Sequence, residues 1–203
     1  MAASLPVPSS LPRPWTLPRR GLAVFYGCEE APRLAHYFLP GLYLSRRRVL
    51  FVDGANCFNP LLLARLARSR RISSAQLNES IRVARAFTCF QLEELIRRLP
   101  DALARFPAQV AVITGLPDLF YDEDISNFDA AASYRKTLAV LARLRELPVA
   151  TAVFSGRALP RPAAARAGFF SQLERQAEQV WRFAVGADAG VALVCERSRL
   201  PAA

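Results

Sequence analysis

Lysine is almost missing from this chain: Lys136 is the only one among 27 basic residues, so the formal charge of +10 rests on arginine. Histidine occurs once, at His36, and the four cysteines (Cys28, Cys57, Cys89, Cys195) form no CxxC pair and no close Cys/His spacing. That spacing argues against a disulfide framework and leaves the cysteines as reduced, small apolar residues. Three of them follow the ends of expected strands, which puts them at one sheet edge. The lone His36 reads as a surface or capping residue and not as a ligand. No apolar run approaches the roughly 20 residues of a membrane span. The opening MAASLPVPSSLPRPWTLPRR lacks a basic region followed by an apolar stretch, so it does not read as a secretory signal. A cytoplasmic protein with no membrane partner is expected.

What is present is enough for one full core: 203 residues, 52% of them apolar. The excess of arginine over acids favours a nucleic acid or another anionic partner. Residues 1–20 hold five prolines and no periodicity, and read as a flexible tail ahead of a domain spanning 21–203. From Gly21 onward, short apolar runs alternate with helical patterns. LAVFYG, Val49–Val52, IRVARAF at 81–87, QVAVITG at 109–115 and PVATAVFSG read as five strands. Helices are expected over 31–44, broken at Pro40 and Gly41, then from Pro60, over 91–106 with Pro100 bending or splitting it, and over 129–147. The end, QVWRFAVGADAGVALVCERS, reads as a hairpin. The fold class is therefore α/β, a mostly parallel sheet flanked by helices with a C-terminal β-hairpin.

The stretch GCEEAPRL, Gly27 to Leu34, stands where a nucleotide-binding loop would follow the first strand. Against GxxxxGK followed by Ser or Thr it keeps Gly27 but has Pro32, Arg33 and Leu34 at the last three positions. Glycine lets amides curl around phosphate, lysine places a compact charge on it, and the hydroxyl holds Mg²⁺. Pro32 removes a donor, Leu34 cannot bind a metal, and Glu29 and Glu30 add repulsion. No ATP or Mg²⁺ cofactor is expected.

The order of these elements, with VDGANCFNP on the second strand and VARAF on the third, resembles the ATPase core of the RecA/RadA recombinase family over about residues 21–197. The resemblance implies a RecA-like sheet with a Walker B position at Thr114, where the family has aspartate, and a nucleotide sensor after the fifth strand, where Ser155 and Gly156 stand. Only Asp53 keeps its chemistry. Three altered positions imply a noncatalytic member, accessory to DNA recombination or repair. The family binds DNA through loops after the fourth and fifth strands. Here the first, 116–129, carries five acids and no base, which would repel phosphate. The second, 155–170, carries Arg157, Arg161 and Arg166 with no acid, and Phe169 and Phe170 beyond them are candidates for stacking on single-stranded DNA or for starting a helix packed on the sheet.

Two rivals remain. VLFVDGAN also resembles the opening strand of PIN/NYN-type nucleases, in which Asp53 with Asp118, Asp122 and Asp124 would hold a divalent cation. The plainer reading has Asp53 capping the turn after its strand. Alternatively, the sheet is a scaffold that binds a recombinase or polymerase through its acidic loop, without touching DNA.

Overall fold

The structure, a computed structural model, describes residues 17, 19–156, 164–185 and 191–199. Its strands are β1 (Gly21–Tyr26), β2 (Val49–Asp53), β3 (Ile81–Arg85), β4 (Val110–Thr114), β5 (Ala150–Phe154), β6 (Gln179–Val185) and β7 (Val191–Ser198). They form one sheet in the order β3-β2-β4-β5-β1-β6-β7, in which β1 to β6 run parallel and β7 returns antiparallel on β6. The α/β class and the terminal hairpin are as expected. The apolar runs of β2, β4 and β5 are buried along their full length, because helices cover both faces of a parallel sheet.

Alternate side chains feed two cores. Leu22, Val24, Val52, Ile113 and Val153 face α5 (Cys89–Arg97), α6 (Leu99–Arg105), α7 (Asn127–Leu144) and α8 (Phe169–Gln176). Ala23, Phe25, Phe51, Val112 and Phe154 face α1 (Ala31–Leu34), α2 (Leu39–Leu44), α3 (Pro60–Ser69) and α4 (Ser74–Glu79). In the second core Phe25 stacks on Phe154 at 4.6 Å between centroids and meets Phe38 edge-on at 5.2 Å. Each such buried ring contributes on the order of 2–3 kcal/mol by leaving water.

Local signals explain most boundaries. Asn59 Oδ1 accepts from the Leu61 and Leu62 amides ahead of α3, with Pro60 in the first turn where its missing N–H costs nothing. Thr88 and Ser126 cap α5 and α7 in the same way. Pro100 splits the expected 91–106 helix into α5 and α6 by sitting in the first turn of α6. Pro40 likewise opens α2 instead of interrupting a helix, and a 3-10 turn, Ala35–Phe38, joins α1 to α2. The short helix α4 has no counterpart among the expected elements. Of the expected 1–20 tail, Leu17 is buried against the second core and Arg19 and Arg20 are exposed, while residues 1–16 and 18 lie outside the described ones. Among the described residues no helix is long and apolar enough to cross a membrane.

Candidate functional site at the C-terminal edge of the sheet

In an open parallel sheet, ligands enter where the chain leaves neighbouring strands in opposite directions. Here that point lies beside β1: the chain leaves β1 toward β2 on one side, and the β5 to β6 connection crosses to the other. The Gly27–Leu34 stretch and Ser155-Gly156 follow strands at this edge, and Asp53 and Thr114 end strands there.

The stretch after β1 is a closed turn. The amides of Ala31, Arg33 and Leu34 donate to the carbonyls of Cys28 and Glu30 at 2.9–3.2 Å, and Pro32 has no amide to offer. Gly27 has φ +121°, and a Cβ there would lie 2.5 Å from the Phe183 carbonyl, so β1 exits hard against β6. On the other flank, a Cβ on Gly156 would lie 3.2 Å from the Glu29 carbonyl and 3.6 Å from Pro32 Cδ. The turn is thus wedged between the exits of β6 and β5. Arg33, in the lysine's neighbourhood, is exposed and pairs with Glu30 at 3.3 Å, and Leu34 is buried in the core.

Asp53 has no exposed surface, and its carboxylate is fully engaged. Oδ1 accepts from the Cys57 amide at 2.9 Å and the Thr114 hydroxyl at 3.1 Å. Oδ2 accepts from the Phe58 amide at 2.9 Å and Arg85 Nε at 3.2 Å. Thr114 Oγ1 in turn accepts from the Ala55 amide at 3.3 Å. Asp53 and Thr114 together fold the 54–58 turn, which is the plainer of the two readings of Asp53. The tight fit has a backbone cause: Gly115, at φ +78°, brings the exit of β4 so near β2 that a Cβ would lie 2.5 Å from the Gly54 carbonyl carbon. The Cys57 thiol beneath this turn is pushed up to about 12, by burial first and then by the Asp53 carboxylate, so it stays protonated and unreactive at neutral pH.

Asp118 is committed elsewhere. It accepts from the Ser155 hydroxyl at 2.9 Å and the Gly156 amide at 2.7 Å, tying the β4 exit to the β5 exit. Burial raises its pKa, and the two hydrogen bonds oppose that rise. Asp122, Glu123 and Asp124 are exposed. Among the described residues no group of three or more His, Cys, Asp or Glu side chains is placed to share a metal ion.

Three of the five expected DNA contacts are buried. Arg166 is 4% exposed, and its guanidinium donates to the carbonyls of Phe120 at 3.1 Å, Asp122 at 2.5 Å and Ile125, and to Asn127 Oδ1 at 2.7 Å. It staples the acidic loop instead of facing solvent. Phe169 and Phe170 open α8 and pack on Tyr134 and Tyr26, at 4.4 and 4.9 Å between centroids, so they start a helix on the sheet and cannot stack on bases. Arg157 and Arg161 lie outside the described residues.

His36, expected as a surface or capping residue, is not at the surface but fully buried beside Phe51 and Phe58. Its Nδ1 lies 2.8 Å from the Arg33 carbonyl and its Nε2 accepts from the Asn59 amide at 3.0 Å, which fixes the neutral Nδ1–H tautomer. It links the turn after β1 to the cap of α3. The missed signal was its place among Leu34, Tyr37 and Phe38, an apolar stretch in which a lone polar side chain is an internal hydrogen-bonding group. Cys28, Cys57 and Cys89 follow β1, β2 and β3 at this edge without gathering at one point, since β1 and β3 are separated by three strands, and all four cysteines are free. No protein-family description and no curated protein matches the chain.

Proposed function

We propose that this chain is a noncatalytic RecA-like domain, accessory to DNA recombination or repair, which acts by binding DNA or a protein and not by turning over nucleotide. The observation that carries the reading is the closed Gly27–Leu34 turn, whose amides at 31, 33 and 34 are bonded within the turn where a phosphate would need them. Thr114, which would have to help hold Mg²⁺, gives its hydroxyl proton to Asp53 instead. The RecA-like part is supported by where the matching strings fall. GCEEAPRL follows the strand next to the switch point, Asp53 ends β2, ARAF lies on β3 and beyond it, and Thr114 ends β4, with β5 lying between β4 and β1.

The nuclease reading needs converging carboxylates, and Asp53 and Asp118 serve separate hydrogen-bond sets. Protein binding has support of its own. β3 is an edge strand with Val83 43% exposed, beside a groove of about 240 Å³ with an apolar floor of Val52, Ala84, Leu95 and Leu99, also lined by Arg82, Arg98 and Arg105. An extended segment of a recombinase or polymerase would add there as a further strand.

Purified protein titrated with fluorescent ATP and Mg²⁺, with phosphate release followed in parallel, should give neither saturable binding nor turnover. Saturable, Mg²⁺-dependent hydrolysis would overturn the noncatalytic reading. Metal-dependent cleavage of DNA or RNA would instead favour the nuclease.

A further inference from the structure

We infer that the opposite edge of the sheet, at the N-terminal ends of the strands, is a docking site for the phosphate backbone of a single-stranded nucleic acid. The inference draws on the DNA-binding side of the reading above but not on the state of the nucleotide turn, so ATP turnover and nucleic-acid binding fail independently.

Because β1 to β6 are parallel, every segment that precedes a strand meets at this edge. Arg46, Arg47 and Arg48 precede β2, Arg82 is the second residue of β3, and Arg105 and Phe106 precede β4. Arg47 donates to the carbonyls of Gln109 at 3.3 Å and Leu17 at 3.5 Å, which draws the entering chain, with exposed Arg19 and Arg20, across the same edge. The exposed acids Glu29, Asp122, Glu123 and Asp124, and the half-buried Glu30, follow strands and lie at the other edge. The acids at the N-terminal edge are fewer: Glu178 is paired with Arg145, and Glu79 and Glu146 are exposed ahead of β3 and β5, so an excess of arginine remains before β2, β3 and β4.

Pairing sharpens the contrast. Arg85 is matched by Asp53, Arg97 and Arg98 by Glu94, and Arg145 by Glu178. Among the described residues Arg46, Arg48, Arg82 and Arg105 have no carboxylate partner; Arg82 Nη1 donates only to the carbonyls of Glu79 and Ile81. The guanidinium carbons of Arg48 and Arg82 lie 5.3 and 4.9 Å from the centroid of one ring, Phe106. Two cations on one ring with no acid between them repel each other, and a phosphate removes that repulsion. Next to them a cleft of about 420 Å³ is lined by Tyr43, Leu44, Arg46, Arg47, Arg48 and Ser80. Glu79, the acid nearest in sequence, is exposed on its flank. Forked guanidiniums suit phosphate oxygens. A concave cleft follows a strand better than it follows a flat anionic bilayer.

The test uses the full chain and a labelled single-stranded oligonucleotide of about 16 nucleotides, followed by fluorescence anisotropy across a salt series. Arg46→Gln/Arg48→Gln/Arg82→Gln should weaken binding at least tenfold and reduce the slope of log Kd against log salt by about two, at about 0.7 per lost phosphate contact on a single strand. Arg46→Gln/Arg105→Gln leaves the Phe106 stack in place and should weaken binding in the same direction, which keeps the test valid if the triple variant unfolds. Unchanged affinity in both variants overturns the assignment, as does binding lost only in Arg157→Gln/Arg161→Gln. Co-sedimentation with phosphatidylserine vesicles but no oligonucleotide binding overturns it in favour of a lipid surface.

Discussion

Asp53, Arg166 and His36 are polar side chains that look available in the sequence and are turned inward in the fold. Each satisfies backbone groups of a segment that leaves a strand: the 54–58 turn, the 120–127 loop, and the Arg33–Asn59 junction. A buried acceptor stripped of its donor costs about 1–3 kcal/mol, so these residues stabilise the loops whose backbone groups they satisfy. His36 makes this testable by pH. Burial lowers its pKa, against smaller opposing effects of the Arg33 carbonyl and the Asp53 charge. The unfolded chain, titrating near pH 6.5, takes up the proton first as pH falls. Stability from the neutral imidazole is therefore complete above about pH 6.5 and is lost below it. The buried Asp118, with a raised pKa, works in the opposite sense, gaining a proton more readily in the folded state. Subtracting the unfolding free energy of His36→Gln from that of the wild type isolates the imidazole, and the difference should shrink between about pH 7.5 and about pH 5. A difference independent of pH would mean that the buried ring is not what titrates.

At the scale of elements, helix starts at this edge rest on short polar side chains. Ser126 Oγ accepts from the Asp129 amide at 3.1 Å and donates to Asp129 Oδ2 at 2.6 Å, closing the first turn of α7, the longest helix and the one that covers β4 and β5 through Tyr134, Leu138 and Leu141. Ser126→Ala should lower stability by about 1 kcal/mol, measured by urea unfolding, with the slope against denaturant unchanged. A loss several times larger would show that the cap also holds the acidic loop that Arg166 staples. β7 and β3 are the two edges of the sheet; β3 is exposed at Arg82, Val83 and Arg85, and the two arginines are charges that discourage indiscriminate edge pairing.

Across the whole molecule the net charge is +10, and Arg46, Arg48, Arg82 and Arg105, without a carboxylate partner among the described residues, share the edge where β2, β3 and β4 begin. Self-repulsion within the basic edge destabilises the compact state and is screened by salt. The unfolding midpoint should rise between about 20 and about 200 mM sodium chloride, and rise less in Arg46→Gln/Arg48→Gln/Arg82→Gln. An equal salt response in both proteins would mean that the charge is dispersed over the surface. This measurement involves no ligand and so reads the charge pattern by itself.

The sequence determined the order of strands and helices, the mostly parallel sheet and the terminal hairpin, because apolar periodicity and cap residues act over a few neighbours in the chain. It also showed that GCEEAPRL lacks lysine and a metal-binding hydroxyl. Only the tertiary structure decided which of the candidate contacts face solvent: Arg166, Phe169 and Phe170, read as DNA contacts, are buried because a loop's carbonyls and α8's packing claim them. The clustering of arginines at the strand starts was equally invisible, since Arg48, Arg82 and Arg105 are far apart in the chain and meet only because the parallel strands bring their N-terminal ends to one edge.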